Sequence, residues 1–125
     1  MRHALLTLLL TLALPGLALA SQPREMTVRA SAYNSLPGQG MGNPSIGAWG
    51  DHLKPGMKAI AVSRDLLESG ILNHRSVVRI EGLPGEYLVL DKMHRRWERK
   101  IDIYFGEDLE AAREWGNRRV VISWD

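Results

Sequence analysis

The chain has 125 residues, 45% of them hydrophobic and 24% charged, with a net charge of +2 and no cysteine. That length fits one small domain with a modest core. Near-balanced charge excludes the global basic field that drives nonspecific nucleic-acid binding, so no nucleic-acid partner is expected. Without cysteine, an exported fold must rely on barrel closure or core packing in place of covalent staples.

Residues 1–20 read as a secretory signal peptide. Arg2 and His3 form a basic start, residues 4–14 are apolar apart from threonines, Pro15-Gly16 breaks the run, and Ala18-Leu19-Ala20 is a small-x-small cleavage site. The apolar run is short for a membrane span of about 20 residues, and no cysteine follows that could carry a lipid. The expectation is cleavage after Ala20, a short leader at 21–26, a domain over 27–125, and no stable membrane insertion. A retained N-terminal anchor is the alternative.

Residues 26–33 alternate apolar and polar, the mark of a half-buried strand. Residues 34–50 are rich in glycine and proline, a length that reads either as a binding loop or as a surface excursion. Trp49 stands at its end, placed to close the loop onto the core. Lys54-Pro55-Gly56-Met57 is a turn signal, followed by a strand at 58–62. Residues 63–68 read as one helical turn capped by Ser63. Strands at 76–81 and 86–91, joined by Gly82-Leu83-Pro84-Gly85, predict a hairpin, and a further strand covers 100–105. Residues 107–115 predict a helix, with Glu107, Asp108 and Glu110 at its start and Gly116 past its end. Leu109, Ala112 and Trp115 share its core face. Residues 118–124 form the last strand, with Val120, Ile122 and Trp124 on one side. About six strands in about 100 residues favour a mainly β, closed barrel, which removes unpaired edges.

Asp91 and Asp102 each lie in an apolar strand-like run, where a carboxylate must be solvated, paired or protonated. Together they form either a buried structural network or an acid-base site. Between them runs the basic segment 92–100. Its Lys92, Arg95, Arg96, Arg99 and Lys100 either meet carboxylates of a ligand while Trp97 stacks on a sugar face, or balance the acidic start of the helix as a solvated loop.

Ile60-Ala-Val-Ser63, Glu86-Tyr-Leu-Val-Leu-Asp91, Ile101-Asp102-Ile-Tyr-Phe-Gly106, Ala111-Ala-Arg-Glu-Trp-Gly116 and Arg119-Val-Val-Ile122 stand in order. This set resembles the 3D domain, named for three aspartates, which also forms the C-terminal part of membrane-bound lytic transglycosylase A. The resemblance covers about residues 27–124. It implies a six-stranded double-psi β-barrel with one or two short helices, in a periplasmic or secreted protein that acts on or binds the glycan strands of peptidoglycan. The family has Ala-Val-Asp-Pro where this chain has Ala61-Val62-Ser63-Arg64, with Asp65 as the nearest substitute. It also carries glycines after its second aspartate where this chain has Lys92-Met93-His94-Arg95-Arg96-Trp97.

Lytic transglycosylases cleave the MurNAc–GlcNAc bond through the muramic C6 hydroxyl, a reaction that one carboxyl group can run as acid and then base. By the resemblance, Asp102 is that group, with Asp91 supporting it. Lys92, Arg95, Arg96, Trp97, Tyr104 and Trp49 are the expected substrate contacts. The alternative is a non-catalytic glycan-binding accessory module of the envelope. An envelope protein partner that completes the groove is a further possibility. His52 and His94 lack the close His or Cys companions of a metal site, and Ser63 and Ser123 lack a His-Asp pair. No metal or cofactor is expected.

Overall fold

A computed structural model of the chain describes residues 24–36, 43 and 45–125. The signal-peptide reading, with cleavage after Ala20, lies outside the described residues, as does most of the glycine-rich stretch at 37–44. In chain order the elements are β1 (Arg24–Tyr33), β2 (Ala59–Val62), α1 (Arg64–Glu68), β3 (Val77–Ile80), β4 (Tyr87–Lys92), β5 (Lys100–Tyr104), α2 (Leu109–Trp115) and β6 (Arg118–Trp124). Among the described residues, no helix is long and apolar enough to cross a membrane.

The six strands close into a barrel in the order β1-β5-β2-β4-β3-β6. β1 runs parallel to β5 and β2 parallel to β4, while the other four pairings are antiparallel. Because β5 lies between β1 and β2, the connection 34–58 must pass over β5. Because β2 lies between β4 and β5, the connection 93–99 must pass over β2. These two interlocked crossovers give the mixed barrel its double-psi character, as the resemblance implied. The expected hairpin is β3–β4, with Val77 opposite Leu88 and Val78 opposite Tyr87.

Strand alternation fills the interior. Each strand sends two residues inward: Val28 and Ala30, Ile60 and Val62, Val78 and Ile80, Tyr87 and Val89, Ile101 and Ile103, Val120 and Ile122. Most are β-branched, which suits a pleated, tightly packed surface. Leu66, Leu72 and Trp115 plug the barrel from the helices and loops. The Trp115 indole N–H donates to the Ala30 carbonyl at 3.1 Å, joining α2 to β1.

Two local expectations need correction. The second helix begins at Leu109, not 107: the Asp108 carboxylate accepts from Ala111 N–H at 3.0 Å and so caps the helix two residues later. Ser63 stands at the N-cap of α1 but makes no side-chain cap. Its hydroxyl instead accepts from Lys100 N–H at 3.0 Å, while its own N–H donates to the Lys100 carbonyl at 2.9 Å. A competing strand partner takes the oxygen that a cap would use.

Trp115→Phe should cost about 1–3 kcal/mol, because it leaves the buried Ala30 carbonyl without its donor while keeping most of the ring. Urea unfolding of wild type and variant checks this, read as a lower midpoint at unchanged slope.

Candidate functional site

Strand register builds the site on the outer face of β1-β5-β2-β4. Ile101 and Ile103 point into the barrel, so Lys100, Asp102 and Tyr104 point out. Ser31 pairs with Asp102, Asp102 with Ala61, and Ala61 with Asp91. Ser31, Asp102, Ala61 and Asp91 therefore form one rung across four strands. The two aspartates sit two strand spacings apart, about 10 Å at the backbone, with only the Ala61 methyl between them.

Asp91 reaches this rung through a β-bulge. Ile60 pairs with Val89 but Ala61 pairs with Asp91, so Leu90 is the extra residue. Simple alternation would put Leu90 and Asp91 on opposite faces. The bulge re-aims the carboxylate, and Leu90 still packs outside the barrel with Leu53, Ala59 and Tyr104.

An apolar rung lies beside the acidic one. Tyr33 pairs with Tyr104, their rings 5.5 Å apart, and Ala59 pairs with Leu88. Leu53 and Met57 from the β1–β2 connection cover this patch. That connection is pinned at Gly47, where a Cβ would collide with the Leu90 carbonyl oxygen. Gly47 N–H donates to Asp51 O at 2.8 Å, and Ala48 N–H donates to the Asp91 carboxylate at 2.9 Å. Lys92 N–H donates to the same oxygen at 2.9 Å.

These surroundings set the proton affinities. Burial pushes the Asp102 carboxyl up from 3.8 to about 6; Asp91 adds to the rise, while a hydrogen bond from Ser31 at 3.1 Å and the nearby Lys100 ammonium oppose it. Asp91 is also raised by burial, against the Lys92 and Ala48 N–H groups and the Tyr33 hydroxyl. The Tyr33 hydroxyl lies near Asp91 but is buried outside hydrogen-bond geometry. Burial, then Asp91, then Asp102 hold its proton far above the ordinary phenol range. Asp102 thus holds its proton more tightly than an ordinary aspartate, beside a second carboxyl that burial also raises, a combination suited to acid-base work or to hydrogen bonding with hydroxyls.

The segment 93–99 is clamped onto α1. Arg64 Nε donates to the Met93 carbonyl at 3.1 Å, Arg95 pairs with Glu68 at 3.0 Å, and Arg99 N–H donates to Asp65 at 3.0 Å. Arg99 sits in the left-handed region at φ 46°, and the Asp65 contact holds it there. Burial opposes ionisation of Asp65, but hydrogen bonds from Ser63 and the Arg99 N–H hold its pKa below the usual carboxylate value. Ser63, where the resembled family has its first aspartate, is fully buried between strands, and Asp65 faces the loop, not the rung.

Trp97 has Lys100 Nζ 3.7 Å from its ring centre and Arg96 at 4.8 Å. Trp49 is stacked on His74 at 4.5 Å with Lys92 Nζ 4.9 Å from its centre, and His74 contacts Asp51 at 2.6 Å. Of the sequence candidates, Asp102, Asp91, Lys92 and Trp49 lie around the rung. Trp97 and Arg96 lie beside it, against Lys100, while Arg95 is turned to Glu68. Tyr104 is buried at 3% exposure, with its hydroxyl 2.7 Å from Ser35 Oγ. Ser31, Ala61 and the Asp51–His74 pair were not singled out from sequence, while Tyr33, ending the alternating strand, reads there as a barrel residue with a polar tip. Among the described residues, no three His, Asp or Glu side chains group as a metal cradle.

No family model matches the chain, and neither does any curated protein sequence. Among solved structures it is similar to a mutant of Clavibacter michiganensis expansin in complex with cellohexaose, at 20% identity and a TM-score of 0.48. The match covers 82% of this chain and 50% of that one, so this chain spans about half the length of the expansin.

Folded Asp102 binds its proton more tightly than an unfolded aspartate, so its contribution to stability is complete below about pH 4 and is lost as pH rises through about 6. Asp102→Asn should therefore abolish a fall in wild-type stability between those limits. Carboxyl ¹³C titration should place the wild-type midpoint near 6, and a midpoint near 4 would contradict this environment.

Proposed function

We propose that residues 24–125, which include the first three residues of β1, form a glycan-binding barrel of the cell envelope, periplasmic or secreted, whose ligand is the glycan strand of peptidoglycan. The observation that carries this reading is the outer face itself. A half-buried, protonatable carboxyl stands between a tyrosine rung and an indole-packed ammonium, with a second carboxylate one alanine away. Such a face offers hydrogen-bond donors and acceptors for sugar hydroxyls, and Trp97 offers apolar area for a sugar ring. The order and spacing of Asp91, Asp102 and the Ile101–Gly106 run, which resemble the 3D domain, supply the substrate class. Ser63 favours binding over turnover, because it is built into the β2–β5 seam where the family has a carboxylate. The basic segment, held on α1, replaces the glycines that would let a backbone approach the sugar.

A second reading, turnover like that of a lytic transglycosylase, draws on the half-buried setting of Asp102 on the rung, where burial pushes its carboxyl up to about 6. That would suit a single group serving as acid to the leaving oxygen and then as base to the muramic C6 hydroxyl, which needs no carboxylate on the opposite face. Two-carboxylate glycosidases instead require the pair at about 5–9.5 Å.

Purified protein mixed with sacculi should co-sediment saturably, and Trp97→Ala should weaken that binding about fivefold, as expected for about 1 kcal/mol of aromatic contact. Failure to co-sediment contradicts the binding reading. Release of anhydromuropeptides by wild type but not by Asp102→Asn would establish turnover. Equal absence of product from both leaves binding as the function.

A further inference from the structure

Lys100 is the least expected side chain on this face. It is 8% exposed, yet its ammonium pairs with no carboxylate among the described residues. Its stem is buried while the ammonium keeps contact with solvent, the usual arrangement of a long charged side chain, which leaves the charge open to a ligand. The carboxylate nearest in strand geometry, Asp102, stands two residues along the same outer face and lies beyond ion-pair reach. What holds the ammonium is the face of Trp97, with Nζ 3.7 Å from the ring centre, an attraction the ring quadrupole supplies. The backbone beneath is fixed on both sides, by the two hydrogen bonds with Ser63 and by the register with Arg29 on β1. Asp65, Glu68 and the Met93 carbonyl clamp the segment that carries Trp97. Lys100 is thus a preplaced cation beside Asp102, without a carboxylate partner among the described residues.

We infer that Lys100 is the specificity residue of this face and takes a carboxylate carried by the glycan, so that acidic strands are preferred over neutral ones. This inference rests on the glycan-binding reading and deepens it. A strand lying across the rung places one sugar over Asp102 and its neighbour's acidic substituent over Lys100, since the two side chains are separated by one two-residue strand step, about 6.6 Å. Arg96, on the same indole, completes a basic rim. Engaging Lys100 also withdraws its charge from Asp102, which Lys100 otherwise helps to ionise. An acidic ligand therefore strengthens the hold of Asp102 on its proton, while Asp91 and Tyr33, the other titratable groups facing it, stay in place.

Isothermal titration with four strand preparations tests this. These are peptide-free strands with ionised lactyl carboxyls, intact strands with stem-peptide carboxyls, and each of these after carbodiimide amidation. Wild type should bind a carboxylate-bearing preparation about tenfold more tightly than its amidated form, the order expected for one charge-assisted hydrogen bond. The preparation that shows the difference identifies the lactyl or the stem-peptide source. Lys100→Met, or Lys100→Gln should the first variant not fold, should bring that ratio to about one, and Lys100→Arg should keep it above one. Equal wild-type binding of native and amidated strands, or a preference that survives in Lys100→Met, overturns the inference and leaves the glycan reading standing. Absence of binding to any preparation overturns both.

Discussion

Ala61 has Asp102 as its partner on one side and Asp91 on the other, and the character of the whole face depends on that register. Ala61 is 4% exposed, and its small side chain leaves room for two carboxylates on one rung. A larger side chain would wedge them apart, and a shift of one residue would turn both into the barrel. The register is imposed from below, by Ile60, Val62, Ile101 and Ile103 filling the interior, and from the side by the extra residue Leu90 in β4.

The two crossovers complete what the register begins. The connection 34–58 brings Leu53 and Met57 down on the tyrosine rung and aims the Ala48 N–H at Asp91. The connection 93–99 places Trp97 beneath Lys100. One strand face thereby acquires three zones in sequence: basic at Lys100, acidic at Asp102, aromatic at Tyr104. The apolar zone removes water from the acidic one and raises both carboxyls. The basic zone and Ser31 limit the rise at Asp102. Two backbone N–H groups limit it at Asp91, so each acid's hold on its proton is set by its surroundings.

Much of the barrel was legible in the sequence, because strand alternation and turn residues are local signals. The six strands, the β3–β4 hairpin and the core face of β6 follow from spacing, as do Ala112 and Trp115 of α2, though Leu109 is only half-buried, and Ile101 and Ile103 mark Asp102 as outward-facing. The site was legible only where one strand sufficed. The bulge at Leu90, the placement of Ala61 between two aspartates and the pairing of Ser31 with Asp102 all depend on which strands meet, which spacing does not encode. Ser63 reads as a helix cap because its competitor, the Lys100 N–H, lies 37 residues away. Lys100 reads as one more charge in a basic run. Its isolation comes from the packing of Trp97 and from carboxylates turned elsewhere.

The central claim is that a glycan strand occupies the rung defined by Ala61. It is tested most directly by amide chemical-shift mapping of the ¹⁵N-labelled protein during titration with peptide-free glycan strands. The account predicts saturable shifts centred on Ser31, Ala61, Asp91, Lys100 and Asp102, fading toward β3. Shifts confined to the β3–β6 side, or none at saturating strand concentration, would contradict it.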